Sequence, residues 1–235
     1  MERYSSMNEV RSAPRHQLVR DEILTKAAEV FERQGFAQTR LEDIATVLSL
    51  KRSAIYYYFK TKNDILHALV EDYAERKARE MEDLVTDHKG SAIEKLQVLL
   101  SVSVLNRTLE GPRVRALDTV ATEMPAKTKA IFEQARRRIL NLHVGVIREG
   151  IEQGELRAVD PTMAALAVLG VANWTSWWYS PTGRQRPEEL ARSLADIALN
   201  GLARSEIDRS QGQQPLQIID LIQRDLGELR RAIAG

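Results

Sequence analysis

Three observations predict an all-α protein. Apolar residues recur at spacings of three and four along most of the 235-residue chain. Helix-start punctuation recurs with them, either Ser/Thr followed three residues later by an acidic residue or a proline placed for a first helical turn. No stretch shows the strict alternation of a half-buried strand. With 43% hydrophobic and 29% charged residues the chain reads as globular rather than disordered, and it is long enough for one large or two modest domains. It has no cysteine, hence no disulfide and no thiolate chemistry. The N-terminus lacks the apolar centre of a signal peptide. The longest apolar run, residues 164–174, is far short of the ~20 residues of a membrane span. A cytoplasmic protein with no membrane partner is therefore expected.

In chain order, residues 1–19 are polar and without period, a flexible N-terminal arm. From Arg20, the set Ile23, Ala27, Val30 and Phe31 makes an amphipathic helix that closes at Gly35. Thr39 and Glu42 have capping-box spacing, and Leu41, Ile44, Ala45 and Leu48 give the next helix one apolar face. Ser49-Leu50-Lys51 interrupts it, and a second short helix follows from Arg52 to Phe59. Two short helices joined by so tight a turn form a helix-turn-helix, whose second helix enters the DNA major groove.

Thr61 with Asp64 caps a helix to about Val85, and Ser91 with Glu94 caps another to Leu109, ended by Gly111-Pro112. A short helix over 113–123 follows. Pro125 opens a long helix to Gly154, and Asp160-Pro161 opens one to Tyr179. Pro187 opens the next, with Leu190, Leu194 and Ile197 in register. Residues 205–214 are a polar linker, and 216–233 carry a short coiled-coil-like seam. The domains expected are 1–19 (arm), 20–66 (helix-turn-helix), 67–204 (helical body) and 205–235 (linker and terminal helix).

The charges point to nucleic acid. Residues 1–62 carry eleven Lys/Arg against eight Asp/Glu, whereas residues 63–90 carry four against eight. Lys51 and Arg52 lie at the positive end of their helix dipole, which costs roughly 0.3–1 kcal/mol. A phosphate or a guanine edge would offset that cost. Between residues 49 and 62 there are four basic residues and no acidic one. Tyr56, Tyr57 and Tyr58 add hydroxyls and aromatic faces; Phe59 belongs inside and Tyr58 partly so, while Tyr56 and Tyr57 face DNA.

The segment from Arg20 to Leu69 resembles the DNA-binding domain of TetR-family transcriptional regulators. The likeness rests on Phe31, Gly35-Phe36, Thr39, Asp43-Ile44-Ala45, Ser53-Ala54-Ile55-Tyr56-Tyr57-Tyr58-Phe59 and Lys62. Ser49, Lys51 and Ser53 depart from it, standing for the usual turn glycine, Ser/Thr cap and second glycine. The resemblance implies a homodimeric repressor that binds operator DNA and a small effector. Its DNA contacts would come from Thr39, Arg40, Lys51, Arg52, Ser53, Ala54, Tyr56, Tyr57, Tyr58, Lys60 and Lys62. It also implies a dimer interface on the last two body helices, through Ala165, Val168, Ala172, Leu190, Leu194 and Ile197.

The second informative stretch is 164–179, where Trp174, Trp177 and Trp178 share a helix face. They either fill a core or dimer seam, or line an apolar ligand pocket with Ser103, Asn106, His143 and Asn173. The Trp-rich helix is similar to that of TetR-type regulators sensing fatty or steroid acyl-CoA esters. This implies an apolar effector, with Arg113, Arg115, Arg184 and Arg186 available for its phosphates. An effector of drug-like or aromatic type is the alternative. An all-α enzyme or a scaffold protein is a further rival. His16, His67, His88 and His143 lack metal-ligand spacing, and no phosphate loop or nucleophile elbow occurs. No catalytic residue, metal or cofactor is expected.

Overall fold

The computed structural model describes residues 15–203 and 223–224. The arm over residues 1–14 and the linker and terminal helix expected over 205–235 lie outside the described residues, apart from helical 223–224. The described chain is helical throughout, with one isolated bridge, Leu156 to Ala203. No helix in it is long and apolar enough to cross a membrane.

Helix α1 spans Arg15–Gln34, so it starts five residues before the expected Arg20. Nothing between Pro14 and that point breaks a helix. Gly35 ends it at φ +83, a left-handed conformation that glycine adopts without a Cβ penalty. Helix α2 (Leu41–Val47) begins one residue later than a Thr39 cap would place it, with Arg40 at the cap. Asp43 reaches back to the Arg40 N–H (2.8 Å), while Thr39 Oγ1 donates to the Gly35 carbonyl (2.7 Å). Ser49 takes φ 53 in the turn, the left-handed position where the family pattern carries glycine. Helix α3 follows as Arg52–Tyr58.

From Lys62 to Asp87 the chain is one helical run with an interruption: α4 (Lys62–Leu69), a π-helical turn (Val70–Glu75) and α5 (Arg76–Asp87). The Thr61/Asp64 capping box opens it. The π turn was not legible from the sequence, because one inserted residue leaves the apolar spacing almost unchanged. It is tied on both sides, by Arg20 to Asp72 (2.7 Å) and by Arg138 to Glu75 (2.8 Å). The body is completed by α6 (Ala92–Leu109), α7 (Gly111–Val120), α8 (Ala126–Glu152), α9 (Pro161–Trp178) and α10 (Pro187–Leu202). Gly111-Pro112, expected only as the break before a helix from 113, itself opens α7, since a first-turn proline forfeits no intrahelical bond.

The apolar interior falls into three clusters. The first joins α1–α5 to Leu117 and Val120 of α7, Met124 of the turn after it and Phe132 of α8. The second packs α5, α6, α8, α9 and α10 around Leu96, Leu99, Ile147 and Ala165. A third, small one holds Val104, Ala172, Leu190 and Ala191, with Leu194 against it.

Candidate nucleic-acid interface and interhelical cleft

The α2–turn–α3 unit is held from beneath by Ile44 and Ile55, both fully buried. Its outer side presents Arg40, Lys51, Arg52, Ser53 and Tyr57, all exposed, with Lys60 beyond them and half-buried Ala54 between. The Arg52 side chain is 74% exposed and rests on Glu42 (3.1 Å) with its guanidinium over the Tyr56 ring. A surface pair of this kind is worth about 0–1 kcal/mol, so Arg52 can leave it for a phosphate or base. Tyr56 donates its hydroxyl to the same Glu42 (3.0 Å). The Glu42 carboxyl is held below its ordinary range by a backbone N–H at the start of α2, then by Tyr56 and by Arg52. Tyr57, 69% exposed, is the aromatic that faces outward; its edge meets Tyr58, which is half-buried against His16 of α1.

Three expected DNA contacts are placed otherwise. Thr39 is 1% exposed and spends its hydroxyl on Gly35, so its side chain reinforces the end of α1. Lys62 donates to the carbonyls of Phe36 (2.7 Å) and Ala37 (2.8 Å) above the Phe36 ring, where two oxygens and an aromatic face satisfy the charge. Tyr56 is turned toward Glu42, with its ring supporting Arg52.

Between the 62–87 run and α6–α9 lies a narrow, open cleft with a cavity volume of ≈ 80 Å³. Its walls bring together Ser103, Asn106 and Asn173, three of the residues the sequence suggested for a ligand. Tyr73, Lys77, Arg107, Asp118 and Phe132 line it too, and sequence reasoning missed them. Lys77, Arg107 and Asp118 have the spacing of ordinary helical surface residues and Tyr73 and Phe132 that of core ones, so only packing reveals the void. Its lining mixes apolar side chains, Met81, Leu117, Phe132, Ile139 and Leu169 among them, with the polar Tyr73, Asn106, Asp118, Arg136 and Asn173. Burial pushes the Tyr73 phenol well above its usual range, so it stays neutral.

The tryptophans are not in this cleft. Trp174, Trp177 and Trp178 lie on the outer face of α9, with Trp174 66% exposed. Met163, Leu166 and Val171 share that face, and Ile197, 66% exposed, stands on the outer face of α10. Conversely, Ala165, Val168, Ala172 and Leu190 are buried inside the protomer, and Leu194 packs with them. The two faces of α9 thus lie the other way round from the expectation, the small residues inside the protomer and the tryptophans outside. Small residues let α9 approach its own neighbours closely, while the large rings point away. Arg113 and Arg115 are also committed elsewhere. Arg113 donates to Thr25 (2.6 Å), and Arg115 bridges Glu32 of α1 (2.5 Å) and the Ser176 carbonyl at the end of α9 (2.7 Å). Arg184 and Arg186 remain exposed in the loop before α10.

His143 is fully buried and does not line the cleft. Its Nδ1 donates to the Ile139 carbonyl (2.8 Å), leaving Nε2 without a partner among the described residues. Burial lowers its pKa from the ordinary 6.5. An unfolded histidine takes its proton near pH 6.5 and the buried one only at lower pH, so folding excludes a proton. Stability is therefore full above about pH 6.5 and declines as the pH falls below it. Urea midpoints at pH 7.5 and 5.0 should show a smaller acid loss in His143→Leu than in the wild type, and equal losses would reject this role. Among the described residues no His/Cys/Asp/Glu group could hold a metal ion.

Comparison with known proteins agrees with this geometry. The model for "bacterial regulatory proteins, tetR family" matches residues 23–69, and that for the "tetracyclin repressor-like, C-terminal domain" matches residues 89–202. The HTH-type transcriptional repressor KstR2 of Mycolicibacterium smegmatis is 24% identical over 200 residues, 81% of this chain and 93% of that protein. The crystal structure of AibR in complex with isovaleryl coenzyme A and operator DNA has a TM-score of 0.64 at 21% identity, covering 78% of this chain and 97% of that one. A transcriptional regulator of the TetR/AcrR family from Thermobifida fusca is 30% identical over 78% of this chain and 97% of its own, with a TM-score of 0.60. Two family models in their proper order, and a 30% identical relative matched almost end to end, settle the assignment: the chain belongs to the TetR family of DNA-binding transcriptional regulators.

Proposed function

We propose that the protein is a cytoplasmic, homodimeric repressor released from its operator when an acyl-CoA ester enters the α5–α9 cleft with its acyl end first. The observation that carries this reading is the ancestry of the cleft wall. Tyr73, Ala74, Lys77 and Met81 belong to the same helical run that begins at Lys62, at the edge of the helix-turn-helix. A ligand that favours one position of this run therefore biases the placement of α4 and the DNA-reading helices. The apolar lining at Met81, Ile139 and Leu169 suits an acyl chain. KstR2 is a repressor, and AibR is bound to both isovaleryl coenzyme A and operator DNA, which supports this choice over a drug-like effector.

DNA is met by Arg40, Lys51, Arg52, Ser53 and Tyr57, with Lys60 on a phosphate. A second copy covers the outer faces of α9 and α10. The dimer then presents two α3 helices to half-sites about 34–36 Å apart, or a multiple of it. The test is fluorescence anisotropy with labelled DNA from the region flanking the gene, at two salt concentrations, followed by titration with acyl-CoA esters of increasing length. Tight, salt-sensitive binding that a subset of the esters reverses is expected. Operator binding that no acyl-CoA alters would remove the effector assignment and leave the DNA-binding one.

A further inference from the structure

The polar groups that line the cleft differ in how they are engaged. Lys77 is paired with Glu80 (3.3 Å) and Glu110 (3.2 Å), and Arg107 with Asp118 (3.0 Å). Arg136 faces the same Asp118 (3.9 Å) and is the most exposed of the three, which marks the mouth. No cation lining the cleft is thus left over for a carboxylate. The neutral groups are the reverse case. The Tyr73 phenol and the Asn106 and Asn173 side-chain amides have no hydrogen-bond partner among the described residues, although all three line one cleft. Ser103, deeper, donates to Leu99 (2.8 Å) and is already satisfied.

The three groups come from three different helices, Tyr73 from the 62–87 run, Asn106 from α6 and Asn173 from α9, and all three line the same cleft as Met81, Ile139 and Leu169. Neutral donors brought together beside an apolar lining fit a carbonyl oxygen that joins an apolar body to a head group outside.

Resting on the acyl-ester reading above, we propose that Tyr73, Asn106 and Asn173 form a neutral collar that binds the acyl carbonyl. The ligand class is then uncharged acyl derivatives, thioesters first and amides second. Free carboxylates are discriminated against because their charge would meet paired cations. The phosphates of a coenzyme A head lie outside the collar, beyond Arg136.

Calorimetry on the intact dimer tests this with four probes sharing one acyl chain: the acyl-CoA, the S-alkyl-CoA thioether lacking only the carbonyl oxygen, the acyl N-acetylcysteamine thioester lacking the phosphates, and the free acid. The thioether and the free acid should bind about tenfold to a hundredfold more weakly than the thioester, the loss expected for two or three hydrogen bonds. The double variant Asn106→Leu/Asn173→Leu, checked for an unchanged thermal midpoint, should bring thioester affinity most of the way down to that of the thioether and leave the thioether unaffected. A thioether that binds as tightly as the thioester, or a double variant that distinguishes them as sharply as the wild type, would overturn the collar while leaving acyl-CoA as effector. Binding of the N-acetylcysteamine thioester without the CoA ester would support the collar and reject coenzyme A. If none of the four binds, the collar and the acyl reading fall together.

Discussion

Val171→Glu combined with Ile197→Glu is expected to yield a folded monomer that no longer holds its operator. Helix α9 is apolar around its whole circumference: Ala164, Ala165, Val168 and Ala172 face inward, while Met163, Leu166, Val171 and the three tryptophans face out. A helix of that kind requires cover on both sides. Glutamates at the outer positions touch nothing inside the protomer, so its circular dichroism and thermal transition should be retained. At a dimer seam the same charges would be desolvated without partners, at a cost of several kcal/mol. Sedimentation at micromolar concentration should show monomers, and operator affinity should fall by about 10³ or more, to the non-specific level. Leu194→Glu is the instructive contrast. Leu194 packs within the protomer, so this change should lower the thermal midpoint rather than merely separate the subunits. A double mutant that sediments as a dimer would place the interface elsewhere.

The second large effect belongs to Arg52→Ala/Tyr57→Ala. Both side chains are exposed on α3, and neither contributes to the interior beneath it. Folding stability should change by less than about 1 kcal/mol, since Arg52 gives up only its surface contacts with Glu42 and Tyr56. Each base-edge contact carries about 1–3 kcal/mol of discrimination, and a dimer makes it twice. Operator affinity should thus drop by at least a hundredfold, whereas affinity for random DNA falls far less. Lys62→Ala should behave in the opposite way. It removes the charge seated on Phe36 and Ala37, so the loss appears in stability before it appears in the salt dependence of binding. Parallel losses on operator and random DNA in the Arg52/Tyr57 variant would show that α3 reads no bases through these residues.

How much was legible divides by scale. Helix starts announced by Ser91, Asp160 and Pro187 fall where their residues placed them, because a cap or a first-turn proline is a local property. So does the α2–α3 turn, down to the left-handed Ser49 that replaces a glycine. What spacing alone could not assign was which of two apolar faces of α9 meets its own protomer. Period 3.6 identifies a stripe, and α9 has stripes all round. Side-chain size held the missing signal. Alanines at 164, 165 and 172 permit close approach within a subunit, whereas Met163, Leu166 and Trp174 on the opposite face are too bulky for it. Likewise the engagement of Lys62 and Thr39 depended on carbonyls at the end of α1, which no periodicity marks. The cleft was visible only in part because it is a property of five walls at once.

The first apolar cluster bears on how such regulators can be recombined. The DNA-reading head shares its interior with Leu117, Val120, Met124 and Phe132, and is fastened to α7 by Arg113 on Thr25 and Arg115 on Glu32. A chimera cut near residue 66, grafting this head onto another sensor body, would sever a continuous core and strand two arginines. The transplantable unit is larger and discontinuous in sequence: the head together with α7 and the opening turns of α8. Construction of hybrid biosensors from this protein should therefore exchange that composite block, or keep the native body and retune only the outward positions of α3.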